Sequence, residues 1–285
     1  MDNNGMNELL KAIEKRALEN RAKVAMGIRF PTPKLLESAK KAQELGFARV
    51  VLVGDLGEIE KIGTELEVVD SKEPEKTLVE LLAAGKVDAA IRGTANASDT
   101  LFQLKERLGL DKIYRLTLLL TADGTPFFLA PVGIDEGNSL GDKLQLVTLG
   151  AEHIQRFGVE PIVGVLSGGR LGDVGRDDRV DRTLADGEFI TQRVLEMGLR
   201  AKHYTILIED AIREANFIVA PDGISGNLIF RTIAFLGGGD GLGAPVLMED
   251  YVFVDTSRVG GHFTKALMLA SALAQLKKER KEAMN

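Results

Sequence analysis

The chain has 285 residues, with Lys+Arg 36 against Asp+Glu 42 and a formal net charge of −6. The absence of cysteine excludes disulfides, cysteine nucleophiles, iron–sulfur clusters and thiolate zinc sites. The acidic balance argues against nucleic acid as the main ligand, because phosphate backbones need a basic face.

Apolar residues at 6, 9, 10, 13, 17 and 18 fall on one face of a helix over Met6–Leu18. Val24–Ile28 reads as a strand, 33–45 as a helix ended by Gly46, and Val50–Val53 as a buried strand. A short helix over Glu58–Gly63, a strand Leu66–Val69 and a helix Glu73–Ala84 follow. Asp88–Ile91 is the next strand and Ser98–Leu108 the next helix. Strands alternating with helices in this way predict a parallel α/β sheet.

The rhythm changes at Arg115–Thr121 and Phe127–Val132, which flank Asp123-Gly124 as a hairpin. Beyond it the pattern predicts a helix over 141–157, a strand 161–166, a helix 187–199 and a strand 204–208. A helix 209–214, a strand 217–219 and a helix 225–236 come next. The glycine-rich 237–243 leads to Pro245–Met248, a strand 251–254 and a closing helix 262–282 whose last turns carry Lys277, Lys278, Arg280 and Lys281. Two α/β blocks with short connections imply a cleft for a small ligand. No run of roughly 18 apolar residues predicts a membrane span, and Met1–Asn20 has no signal-peptide core, so a cytoplasmic protein without a membrane partner is expected.

Four segments carry candidate chemistry. Ser257-Arg258 stands between a strand and the last helix, where a hydroxyl and a planar guanidinium suit a phosphate or carboxylate. An N-cap serine beside a surface arginine is the plainer alternative. Ser167-Gly168-Gly169-Arg170 follows a strand, so its backbone N–H groups could cradle an oxyanion, or it is an ordinary glycine turn. Arg92-Gly93-Thr94 also follows a strand, with Arg92 and Thr94 as anion contacts and Ser98 as a cap for the next helix. Gly226-Asn227 opens a helix, with Asn227 as cap or ligand contact. His262, four residues past Arg258, is the histidine placed to act as a base, whereas His153 and His203 read as structural or surface residues. The charged run from Arg170 to Asp186 reads as a solvated, ion-paired loop, with a mobile lid as the alternative. No histidine or carboxylate cluster has metal-ligand spacing, although scattered carboxylates could hold Mg²⁺ beside a phosphate.

Taken in order, "GKVDAAIRGTANASDTL", "FGVEPIVGVLSGG", "ILIEDAI…ANFIVAPDGISGNLIFRTIAFLGG" and "VFVDTSRVGGHFTKALMLASALA" resemble the phosphotransacylase superfamily of phosphate acetyltransferases and butyryltransferases. The whole chain is similar to that superfamily's methanogen branch, the MtxX family or fourth methanogenesis marker, which carries a methyltransferase label. The resemblance implies an isocitrate/isopropylmalate dehydrogenase-like fold of two α/β domains around an interdomain cleft. It groups 1–140 with 252–285 as the first domain and leaves 141–251 as the second. It also implies a homodimer and a small anionic substrate, with coenzyme A or an acyl phosphate as candidates and no certain cofactor. By the same resemblance Ser257 and Arg258 contact the phosphoryl or acyl group. The family's thiol-deprotonating aspartate has no counterpart in 259–264, where His262 stands instead. A phosphate-binding arginine of the family is replaced near Phe102, while Arg92 keeps a positive charge. The expected function is a transferase of this superfamily. Methyl transfer in one-carbon metabolism and a non-catalytic binding protein are the alternatives, since one fold hosts many activities.

Overall fold

The computed structural model describes residues 3–257 and 263–284. Its elements begin with α1 (Asn3–Asn20), β1 (Lys23–Ile28), α2 (Pro33–Glu44), β2 (Arg49–Gly54), α3 (Leu56–Glu60), β3 (Glu67–Asp70), α4 (Pro74–Ala83), β4 (Ala89–Ile91) and α5 (Ala97–Leu108). The hairpin strands β5 (Thr117–Leu120) and β6 (Pro126–Ala130) come next, then α6 (Leu140–Arg156), β7 (Ile162–Leu166), a 3-10 turn Leu171–Asp173 and α7 (Asp178–Glu196). The chain continues through β8 (Arg200–Thr205), α8 (Ile208–Glu214), β9 (Phe217–Val219), α9 (Gly223–Phe235), β10 (Asp240–Pro245), β11 (Phe253–Asp255) and α10 (Phe263–Met284).

Helix starts follow side-chain chemistry. Thr32, Asn96, Ser139, Asp177 and Asp222 each accept from a backbone N–H in the first turn of α2, α5, α6, α7 and α9. Asn96, not Ser98, caps α5, because Ser98 lies one residue inside the helix and is exposed. Three elements differ from the sequence reading. The helix expected from 187 starts at Asp178, so the charged run is mostly helical. Asp177 caps it, and neither Arg nor Asp in that run breaks a helix. The strand expected at 204–208 is β8 at Arg200–Thr205, a polar edge strand without the apolar run that marks a buried one. The glycine-rich 237–243 contributes β10, where glycine hides the strand signal.

The chain divides into two compact units, 10–113 with 242–285, and 1–9 with 114–241. In the first, the strand order β3-β2-β1-β4-β11 is parallel throughout, and β10 adds antiparallel to β11. Register pairs Met26 with Leu52 and Ile91, and Ile91 with Val254. Ala25, Val53, Leu78, Leu82, Leu104 and Phe253 share its apolar core. The closing helix α10 is tied to the start of the unit by polar bonds. The Ser38 and Thr264 hydroxyls lie 2.9 Å apart, and Ser271 Oγ accepts from Ala22 N at 3.0 Å.

In the second unit the order is β5-β6-β9-β7-β8, with the β5–β6 hairpin antiparallel and the other pairs parallel. Phe127, Phe217, Ile218, Leu146 and Ile154 are fully buried here. His153 is buried as well, edge-on to Phe157 at 5.5 Å between ring centres. Burial, seconded by Arg156, pushes the imidazole down to about 3. The neutral ring is therefore the folded form, while the unfolded chain takes up a proton as pH falls below about 6.5. This contribution is whole above the unfolded value and is lost as pH falls toward the folded one, at up to about 1.4 kcal/mol per pH unit. His153→Phe should flatten the decline of stability between pH 6.5 and about 4, measured by urea unfolding across that range.

Candidate functional site

Parallel strands send their carboxyl ends to one edge, which is where open α/β sheets bind ligands. In the first unit, Arg92, Gly93, Thr94 and Ser98 follow β4, and Ser257 follows its parallel neighbour β11. The register therefore brings these two segments to the same edge. Arg92 is only 6% exposed. Its guanidinium donates to the Asp255 carboxylate, to the Thr256 carbonyl and to the Ala95 carbonyl at 2.9 Å. Thr256 Oγ1 donates in turn to the Gly93 carbonyl at 3.2 Å. Arg92 thus clamps the end of β4 to the end of β11. Gly93 has φ +60, and a Cβ there would drive into the Gly27 carbonyl, so the turn demands glycine. Thr94 Oγ1 accepts from Arg29 N at 3.1 Å and Phe30 N at 3.3 Å, fixing the chain after β1. Ser257 is half-buried, and Arg258 and His262 lie outside the described residues.

The sequence reading missed a second ion pair at this edge. Arg29, just after β1, grips the buried Glu75 with Nε at 3.2 Å and with Nη2, and Glu75 also accepts from Asn96 N at 2.6 Å. Burial works to raise the Glu75 carboxyl, but the Arg29 guanidinium and the Asn96 N–H outweigh it and hold it below the usual range. No local motif marks this pair, because its members stand 46 residues apart.

In the second unit, Ser167–Arg170 follows β7, and Gly226 and Asn227 open α9 after β9, the parallel neighbour of β7. These two segments also share an edge. Gly168 N donates to Thr183 Oγ1 at 2.8 Å and Arg170 N to Asp173 Oδ2 at 2.8 Å, so the loop is anchored while Gly168 and Arg170 stay exposed. Ser167 is buried beneath them, with Oγ 3.3 Å from the Gly169 carbonyl and 3.1 Å from His203 Nε2. His203, read from sequence as structural or surface, is the partner that the serine motif did not disclose. Gly226 passes so close to the Pro131 carbonyl that a Cβ has no room. Asn227 Nδ2 donates to the Val132 carbonyl at 2.9 Å, so this amide secures the loop after β6, and Asp222 takes the capping role. Beside it the Arg115–Glu136 pair is buried, with Nε to Oε1 at 2.6 Å. Burial pushes the Glu136 carboxyl up against the pull of Arg115.

Beyond Arg170 the charged segment is laced by its own bonds. Arg176 pairs with Asp173, and Gly175 N donates to Asp181 at 2.9 Å. Among the described residues, no group of three or more His, Asp or Glu gathers as metal ligands would, and no helix is long and apolar enough to cross a membrane.

No family model matches the chain. It is 75% identical over 279 residues to "Putative methyltransferase mtx subunit X" of Methanosarcina acetivorans, covering 98% of this chain and 100% of that protein. The same-named protein of Methanosarcina mazei is 74% identical over 280 residues, again 98% and 100%. A phosphate butyryltransferase of Clostridium acetobutylicum is 24% identical over 302 residues, covering 93% and 96%. Among solved structures, the branched-chain phosphotransacylase of Enterococcus faecalis superposes with a TM-score of 0.67 at 17% identity, covering 89% of this chain and 98% of that one. The phosphotransacetylase of Streptococcus pyogenes gives 0.67 at 17% identity, covering 96% and 99%. A 4-hydroxythreonine-4-phosphate dehydrogenase of Burkholderia phymatum gives 0.57 at 14% identity, covering 88% and 98%. These likenesses establish the α/β fold that the resemblance implied.

The clamp at β4 and β11 makes a direct prediction. Arg92→Ala removes the buried guanidinium that joins the Asp255 carboxylate to the Thr256 and Ala95 carbonyls, and stability should fall by roughly 3–5 kcal/mol in urea unfolding. A loss below about 1 kcal/mol, the size of a surface pair, would show that Arg92 is not a structural clamp.

Proposed function

The chain belongs to the methanogen family of mtx subunit X proteins, and from that premise we propose that it is a transferase acting on a phosphate-bearing or coenzyme A-like substrate. The observation that carries this reading is the pairing of the Ser167–Arg170 loop with the Gly226–Asn227 helix start at adjacent strand ends, in a chain with the phosphotransacylase fold. An anchored loop that carries the exposed Arg170 suits a phosphoryl group. In this reading Ser257 and Arg258 stabilise charge on the reacting group. Ser98 is at the ligand-facing start of α5, and Arg92 serves by holding the β4 and β11 loops in place. His262 takes the proton from the attacking thiol. The thiolate then forms the carbon–sulfur bond as the carbon–oxygen bond to phosphate breaks.

Thermal unfolding against phosphate, acetyl phosphate, coenzyme A, acetyl-coenzyme A, S-adenosylmethionine and a cobalamin tests the assignment. A ligand at 100 times its dissociation constant adds about 2.7 kcal/mol, which raises the midpoint by several degrees. The expected result is a shift with coenzyme A or acetyl phosphate that Arg258→Ala removes. A shift only with S-adenosylmethionine or cobalamin would transfer the assignment to methyl transfer, the activity in the relatives' name. Binding without turnover on any of these donors would mark a non-catalytic binding protein.

The same reading includes a homodimer through α9. Of this helix only Gly223 and Gly226 are buried, while Ile224 and Leu228, one turn apart, are each 60% exposed. The helix is uncharged from Gly223 to Phe230, so a second copy meeting it across a two-fold axis needs no complementary charge. Ile224→Glu with Leu228→Glu should convert the dimer to monomer in analytical ultracentrifugation without unfolding it.

A further inference from the structure

We propose that Lys277 of α10 is a modification site, a lysine that takes an acyl group directly from an acyl phosphate. The helix begins after the carboxyl end of β11, so its last turns lie toward the amino ends of the strands, away from the loops that follow β4 and β11. Contacts mark that end. Lys278 Nζ donates to Asn20 Oδ1 at the end of α1 at 2.7 Å and stands 3.9 Å from Asp88, which precedes β4. The site is thus separate from the one assigned to the transferase reading and does not depend on it.

Lys277 is half-buried, and its Nζ donates to the Asp250 carbonyl, a neutral acceptor, at 3.3 Å. Among the described residues it forms no ion pair. The Asp250 carboxylate is exposed, and the other carboxylates nearby have partners of their own. Asp88 accepts from Lys23 N at 2.7 Å and faces Lys278, and Glu249 pairs with Arg280 at 3.0 Å. Lys281 stands one turn further along the same face of α10 and is exposed. Burial, seconded by Lys281, pushes the Lys277 ammonium below the ordinary lysine range, against the pull of Asp88 and Asp250.

A lysine that is partly desolvated and set among cations keeps more of its amine unprotonated, and the free amine is the nucleophile. Its lone pair attacks the acyl carbon of the donor. The carbon–nitrogen bond forms, the carbon–oxygen bond to phosphate breaks, and phosphate leaves with that electron pair. The proton released from nitrogen passes to water. Lys278 and Lys281 attract the anionic donor and steady the departing phosphate, which selects an acyl phosphate over an uncharged acyl donor. The product is a neutral amide that removes a half-buried charge and retains an N–H for the Asp250 carbonyl, so the folded helix tolerates it.

Acetyl phosphate on the full wild-type chain at about pH 8, followed by peptide mass spectrometry, tests the assignment with Lys278 as the internal control. Acetylation of Lys277 should run at least about threefold faster than that of Lys278. In urea beyond the unfolding transition the two rates should converge, because burial is lost. Lys281→Gln, a change at an exposed position, should slow Lys277 in the folded chain. Salt at about 1 M should slow the reaction with acetyl phosphate and leave that with the uncharged donor N-acetoxysuccinimide unchanged. Equal rates at Lys277 and Lys278 in the folded chain, or a lead of Lys277 that persists in urea, would overturn the site. The same salt dependence with both donors would overturn the preference for an acyl phosphate. The adduct is read by mass, whereas the transferase reading is judged by the coenzyme A shift lost in Arg258→Ala, so either can fail without the other.

Discussion

Parallel strands cannot be joined by a tight turn, so each needs a crossover that returns the chain to the same end of the sheet. Almost every feature of this molecule follows from that constraint. It places a helix between successive parallel strands and, within each unit, delivers the carboxyl ends of those strands to one edge. The loops leaving β4 and β11 therefore meet in one unit, and those leaving β7 and β9 in the other, although each pair is far apart in sequence.

Loops collected on an edge are useful only if they hold still, and here buried polar groups do that. Arg92 joins β4 to β11 through Asp255 and the Thr256 carbonyl, and Glu75 at the start of α4 joins the end of β1 to the start of α5. A buried charge is costly without a partner, so each clamp favours the one arrangement in which every member is bonded. The same logic changes the meaning of Arg92. Its charge suits an anion, but the structure commits it to protein groups, and its influence on a ligand passes through the loops it fixes.

The second unit uses a lighter device. Ser167 is a hydroxyl between the Gly169 carbonyl and the His203 ring, and α7 closes over it with Thr183 bonded to Gly168 N and a glycine opposite the imidazole. A neutral hydrogen-bonded serine contributes less to stability than a buried ion pair, yet it can change its donor direction.

Much of this was legible in the sequence. Buried parallel strands are near-continuous apolar runs, so β1, β2, β7 and β9 stand out. The serine and glycine loops could be named for the same reason: each is a turn directly after such a strand. Where the signal was weak the reading slipped, as at polar β8, glycine-rich β10 and the charged first half of α7. The partners of the site residues were not legible at all. Arg92 meets Asp255 across 163 positions, Arg29 meets Glu75 across 46 and Ser167 meets His203 across 36. Local pattern determines which residues can turn, cap or bury themselves. Which side chains then share a proton or a charge depends on strand order and register, and those are decided by tertiary packing, because only there do distant strand ends become neighbours.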